Sequence, residues 1–480
     1  MAKRKQSTFE RLQKGEMNRK QRRELEQRLR RPDPGLELIH ENAAGVDVGN
    51  ASHFAAVPED RDEQPVREFG CWTADLQRMA AWLKECGIRT VAMQSTGVYW
   101  IAVQEVLEKE GLEVYLVNAR GTKNLPGRKS DVQECQWLMK LHRYGLLRNS
   151  FRPPEAIRAV RTIWRLRERW VQEAGRAVQQ MQKALTTMNI QLANVISDIS
   201  GVTGMAIIRA IVAGERNRWE LARLRDARVA ASEEEVAHSL EGNWREDVLF
   251  ELAQTVEAYD FYREQMKACD RQLEASLATL PSRNKSEGGQ TEKTPGKRTV
   301  KPRKNQPAFD LAGELERTLG VDLRTIDGID VLTAQVVTAE VGPDLSAFPS
   351  EDHFASWLEL APRREVSGGK VIRHLKPDGR NRVANALRMA AQALSRSDSY
   401  LGARYRRLRA RLGGPRANKA MARYLACLVY RLLTKGVAYV DRGAAYYEEK
   451  RRQRETLSLQ RAAAAHGFKL VPAGAVSLCT

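Results

Sequence analysis

No stretch of the 480-residue chain comes near the roughly 20 consecutive apolar residues that a membrane-spanning helix needs. The opening residues, MAKRKQSTFERLQKGE, carry positive charge but no apolar core, so they do not read as a secretory signal. Cysteine is sparse: Cys71, Cys86, Cys135, Cys269, Cys427 and Cys479 stand far apart and form no CxxC pair. The seven histidines are as scattered. A structural zinc site needs ligands at short, paired spacings, so none is expected, and the thiols read as buried and reduced in a cytosolic protein. Acids are in deficit too. The chain has 79 Lys and Arg against 60 Asp and Glu, for a formal net charge of +19, and its isoelectric point is about 9.8. Such an excess calls for a polyanionic partner. Nucleic acid fits best, because each phosphate contact releases condensed counterions. What is present, 42% hydrophobic and 29% charged residues, describes a globular chain of two or three domains.

The pattern along the chain changes several times. Residues 1–40 are rich in Lys, Arg, Glu and Gln with almost no apolar periodicity, and read as a basic tail, either a mobile arm or frayed helix that touches nucleic acid or a solvated segment. Residues 41–154 alternate strands and helices. AAGVDVGNASHFAAVP reads as two strands joined at Gly49-Asn50, LQRMAAWLKECG as an amphipathic helix and TVAMQ as a buried strand. VYWIAVQEVLEKEG, LEVYLVNA and SDVQECQWLMKLHRYGLL follow as helix, strand and helix, which predicts a mixed sheet with helices packed on it. Residues 155–280 read as long helices. Val171, Ala174, Val178, Met181, Leu185, Met188, Leu192 and Val195 alternate spacings of three and four, the seam of a coiled-coil arm that pairs with a partner. A helix packed on its own domain gives the same pattern. Residues 281–306 form a basic, Pro- and Gly-containing linker expected to be disordered. A mostly helical domain spans 307–450, and 451–480 reads as a poorly ordered tail. The fold class is therefore α/β plus all-α.

Candidate chemistry falls in two places. Asp47 sits mid-strand, while Asp131 and Glu134 share one face at the start of a helix, behind the basic stretch that contains Arg128 and Lys129. Carboxylates on a strand and a helix of one domain suit Mg²⁺, which takes a few hard oxygen ligands plus substrate phosphate. Asp131 equally serves as a helix N-terminal charge. The second place is VSGGKVIRHLKPDGRNR, where Ser367 precedes two glycines and Lys370, Arg373, Arg380 and Arg382 follow. Residue types favour a turn role for Ser367, with phosphate ligand and nucleophile as alternatives, since no His is placed as its base. TIDGIDVLTAQVVTAEVG resembles a helix-hairpin-helix, which grips nucleic-acid backbones with amides at a helix N-terminus.

GVDV, MQSTGVYW, VYLVNAR, GRKSDVQECQWL, SDISGVTG and FASWLELAPRREVSGGK occur in the order found in transposases of the insertion-sequence 110 family, which the chain resembles from about residue 42 to 450. The resemblance implies a RuvC-like domain of ribonuclease H fold, a coiled-coil arm and a C-terminal transposase domain. It also implies a serine in the SGG motif that becomes joined to DNA, and a structured guide RNA that pairs with target and donor DNA. The family's four acids fall on Asp47, Gln94, Asp131 and Glu134, and its serine on Ser367. Two positions depart: Gln94 stands where the family has glutamate, and Glu134 where it usually has aspartate. The second keeps its charge; the first keeps only an oxygen ligand. The expectation is a Mg²⁺-assisted DNA recombinase of the bacterial cytoplasm, associated with the nucleoid and acting as a homo-oligomer. The alternatives are an inactive nucleic-acid-binding relative and a metal-dependent junction nuclease.

Overall fold

Two short runs, AAGVDV and SHFAA, form strands β1 (Ala43–Val48) and β2 (Ser52–Ala56) in the computed structural model, which describes residues 19–29, 31, 34–94, 97–118, 130–283, 304–367, 370–375, 381–436 and 443–470. By backbone contacts the chain divides into two units: Met1–Arg152 with Arg363–Leu375, and Pro153–Pro362 with Lys376–Thr480.

The first unit is built on a sheet of five strands, which adds β3 (Val66–Gly70), β4 (Thr90–Gln94) and β5 (Glu113–Val117) in the order β3-β2-β1-β4-β5. β3, β2 and β1 run antiparallel, whereas β1, β4 and β5 are parallel. β3 escapes sequence reading because VREFG is a half-buried edge strand with no clean alternation. Side chains alternate across the sheet. Val46, Val91 and Met93 face one way and pack on helices Thr73–Glu85 and Trp100–Lys109 through Met79, Leu83, Val103 and Leu107. Ala92 and Val117 face the other way, beneath Leu138 and Leu141 of helix Asp131–Arg143. We label these helices α2, α3 and α4, with α1 spanning Arg19–Leu29.

α1 is the helix that the tail was expected to hold at most in frayed form, and it is docked. Its Leu25 and Leu29 are buried in the same cluster as Leu138 and Leu141, and the Lys140 ammonium donates to the Arg31 carbonyl at 2.6 Å. Two leucines one turn apart are enough to dock a helix but too few to show a period in sequence.

The second unit is helical. Its spine is α5 (Glu155–Thr187) lying along α6 (Glu246–Ala278). The heptad seam is buried here, but within one chain: Ala174, Met181, Leu185, Met188 and Leu192 pack with Leu252, Val256, Tyr259 and Met266. The expected arm paired with a partner subunit is thus replaced by an intramolecular pair. α5 ends at Thr187, and Asn189 takes a positive φ of 58°, so Leu192 and Val195 belong to a separate short helix. A seam specifies a helical partner without saying whose. The fully buried Arg167 guanidinium, ion-paired with Asp270, fastens α5 to α6. One cation and one carboxylate buried together avoid the penalty that either would incur alone.

Between α5 and α6 lie helices at Val202–Val212, Arg218–Arg223 and Glu233–Ser239; after α6 come α7 (Leu311–Leu319), α8 (Val331–Glu340), α9 (Arg382–Ala393), α10 (Tyr400–Leu412), α11 (Gly414–Lys435) and α12 (Gly443–Ala465), with a short helix at Glu351–Trp357. α12 stands where a poorly ordered tail was expected. Every residue of α8 is buried except Leu332, so it is the core element of this bundle. Arg161 of α5 caps its C-terminus, donating to the carbonyls of Ala339 at 3.3 Å and Glu340 at 2.6 Å. Of the linker read at residues 281–306, residues 284–303 lie outside the described residues. Among the described residues no helix is long and apolar enough to cross a membrane.

Candidate active site

β1 and β4 end side by side. Their parallel register pairs Gly45 with Ala92 and Val46 with Met93, and the same offset carried one residue further sets Asp47 beside Gln94. Gly45, Asp47, Ala92 and Gln94 share the face that α4 covers. Gly45 is the reason α4 can come so close. A Cβ at that position would stand 2.2 Å from the Cys135 carbonyl oxygen and 2.3 Å from the Met139 nitrogen. Only a residue without a side chain permits that approach. Sequence reading passed over this glycine, although its place two residues before a strand aspartate was the available signal.

The approach delivers the first turn of α4 to the ends of the strands. Ser130 caps the helix, its Oγ accepting from the Gln133 N–H at 3.3 Å. Asp131 opens the helix and is exposed; Glu134, one turn on, is half-buried. The Gln94 side chain is only 5% exposed, and its amide N–H donates to Glu134 Oε1. Two of the four carried-over positions therefore touch. Asp47 and Asp131 flank the next residue: burial first, and then their negative charges, push the Cys135 thiol up to about 12. That thiol stays protonated and offers no nucleophile. His142, further along α4, is pushed down to about 3 by burial and then by His40, so it remains neutral, with Nε2 at 2.8 Å from Thr90 Oγ1.

The donor chemistry of Asp47, Gln94, Asp131 and Glu134 is all oxygen, which suits a hard divalent cation. Among the described residues, however, no group of three or more His, Cys, Asp or Glu side chains stands together as an ion would require. The Gln94–Glu134 hydrogen bond explains part of this. Two carboxylates in that contact would need a cation or a shared proton between them, whereas the amide donates to Glu134 with neither.

The serine motif forms an antiparallel hairpin of β6 (Arg363–Ser367) and β7 (Lys370–Leu375), in which Ser367 and Lys370 pair across the strands. Arg373 is exposed on β7. Arg382 is the first residue of α9 and is already engaged: its guanidinium pairs with Glu168 and lies 3.9 Å from Glu340. Arg128, Lys129 and Arg380 lie outside the described residues. At the expected helix-hairpin-helix the first helix shrinks to a single 3₁₀ turn, Leu323–Thr325, and the Asp330 carboxylate accepts from the Thr333 N–H at 2.8 Å. A side-chain acid already occupies one of the amides that a phosphate would use.

Residues 44–190 match a family model described as Transposase, of the DEDD type. Residues 322–406 match the model described as Transposase IS116/IS110/IS902 family. None of the curated proteins compared matches the chain. One match covers the sheet with its acids and the other the hairpin with its serine, so both parts of the chain are similar to transposases of the IS110 family.

Proposed function

We propose that this protein is a transposase that cuts and rejoins DNA through a covalent Ser367 intermediate, under the guidance of a structured RNA. One observation carries the reading: the hairpin that ends β6 at Ser367 belongs to the same compact unit as the sheet bearing Asp47 and Gln94, although a whole helical unit intervenes in sequence. In this reading Ser367 Oγ adds to a scissile phosphorus, the bond to the leaving deoxyribose oxygen breaks, and the leaving oxygen takes up a proton. The phosphoserine link conserves the energy of the broken bond, so a second DNA end can displace the serine without ATP. Asp47, Asp131 and Glu134, with Gln94 as a neutral fourth ligand, would hold Mg²⁺, which when bound supplies positive charge to the phosphate oxygens. Lys370 and Arg373, with Arg128, Lys129 and Arg380, neutralise the DNA backbone; Arg382 joins them only on leaving Glu168. Joining several ends calls for several subunits, whose contact must lie elsewhere than the buried seam.

A second reading, a nucleic-acid-binding relative with little catalytic power, is favoured by the Gln94 amide that already donates to Glu134. The two part on one experiment. Ser367→Ala should abolish protein–DNA adducts that survive denaturation while leaving nucleic-acid affinity near that of the parent. Adducts persisting in the alanine variant would remove Ser367 from the chemistry; their absence from the parent as well would favour the second reading.

A further inference from the structure

Arginines on α10 and α11 mostly have partners. Arg407 pairs with Glu455 at 3.1 Å and Arg423 with Asp352 at 2.7 Å. Arg404 stacks over Tyr424 with its guanidinium 4.0 Å from the ring centroid, and Arg406 donates to the Ser397 carbonyl at 2.6 Å. Arg388, Arg396 and Arg409 differ. Among the described residues none of these three makes an ion pair, and the buried Nε of Arg388 meets no acceptor. All three line one groove of about 820 Å³ between α9, α10 and α11, together with Lys419 and Asn418.

No carboxylate lines that groove among the described residues. The floor is fixed, since Tyr405 is 2% exposed and its hydroxyl donates to Asn418 Oδ1. Gly414 and Pro415 add the start of α11, a helix of 22 residues that has no side-chain cap. The positive end of that helix dipole therefore lies at the groove. Three guanidinium groups held around one groove without an ion pair repel one another, an arrangement that an anion relieves. With three arginines and no carboxylate on its lining, the groove is a place left for an anion brought from outside.

We propose that this groove is a phosphodiester-backbone site that holds nucleic acid on the helical unit. Guanidinium forks match phosphate oxygens, and a chain of linked phosphates would meet Arg388, Arg396 and Arg409 in turn. The choice of a nucleic acid as the anion rests on the function proposed above; the groove as an anion site does not.

The test compares the full-length parent with the double variant Arg396→Gln/Arg409→Gln, both positions being exposed. Binding of a short duplex DNA and of a single-stranded RNA is measured across a salt series. Loss of two phosphate contacts should lower the slope of log affinity against log salt by about 1.8 for duplex DNA or about 1.4 for a single strand. Near 0.15 M salt that is about 30-fold weaker binding. A change with DNA alone or with RNA alone identifies the source of the backbone, and either supports the site. Arg407→Gln/Arg423→Gln removes paired arginines from the same helices and should leave the slope unaltered. Arg396→Lys/Arg409→Lys, which keeps the charge, should restore most of it. Unaltered slopes for both probes, or equal losses in the control pair, would overturn the proposal. Adduct formation is read separately, so the groove and the serine step can fail independently.

Discussion

Replacing Gly45 with alanine should destabilise the protein by about 3 kcal/mol or more and separate Glu134 from Gln94. The added methyl would meet backbone on the facing helix, at 2.2 Å from the Cys135 oxygen and 2.3 Å from the Met139 nitrogen. No side-chain rotation relieves a clash between a strand and the backbone of a helix, so α4 has to move away. Leu138 and Leu141 move with it, out of the cluster they share with Leu25, Leu29 and Leu147. Glu134 moves too, and the half-buried corner of the site opens to water. Gly175, in the middle of α5, has nothing within 4 Å of where its Cβ would be. Gly175→Ala should therefore stabilise by about 0.5–1 kcal/mol, the usual gain when alanine replaces a helical glycine. Denaturant midpoints of the two variants against the parent check both signs. If Gly45→Ala matched Gly175→Ala, the close packing of α4 on β1 would be wrong.

Much of the fold was legible because it was written in local periods. The apolar runs at β1, β4 and β5 and the amphipathic patterns of α2, α3 and α4 predict a mixed sheet with helices on it, and that is the structure of the first unit. What escaped was information that local pattern does not carry. β3 is an edge strand exposed on too many sides to alternate, and α1 docks with two leucines only. The heptad seam from Val171 to Val195 announced a helical partner correctly, but the partner turned out to be α6, some 60 residues further along the same chain. The site divides in the same way. Strand and helix assignments made it plain that Asp47 and Glu134 belong to one domain. That Gln94 would donate to Glu134 depends on how closely α4 approaches, which Gly45 decides. Arg382 looked like a DNA contact in a run of cations, yet Glu168, more than 200 residues earlier, already holds it.

Gln94→Glu is the substitution with most to reveal about catalysis. In the parent, the buried Gln94 amide gives Glu134 a hydrogen bond that needs no ion. A glutamate there would set two carboxylates in contact, a repulsion of about 4 kcal/mol at 4 Å for an effective dielectric near 20. Without a cation that repulsion should lower the thermal midpoint or force one carboxyl to hold a proton. With Mg²⁺ it becomes an attraction to the ion shared by both groups. The variant's midpoint should therefore climb as Mg²⁺ is added, by the amount that mass action on the folded state requires, while the parent's changes little. The same extra charge should tighten Mg²⁺ by about tenfold or more, since each 1.4 kcal/mol is a factor of ten. Half-maximal adduct formation should then need correspondingly less magnesium, or activity should emerge where the parent has none. Midpoint and adduct yield are read from one magnesium titration of both proteins. Overlapping curves would mean that position 94 does not face the ion, and that Asp47, Asp131 and Glu134 hold it unaided. Curves that separate in the midpoint but not in the yield would make the corner a metal site that the serine step does not use.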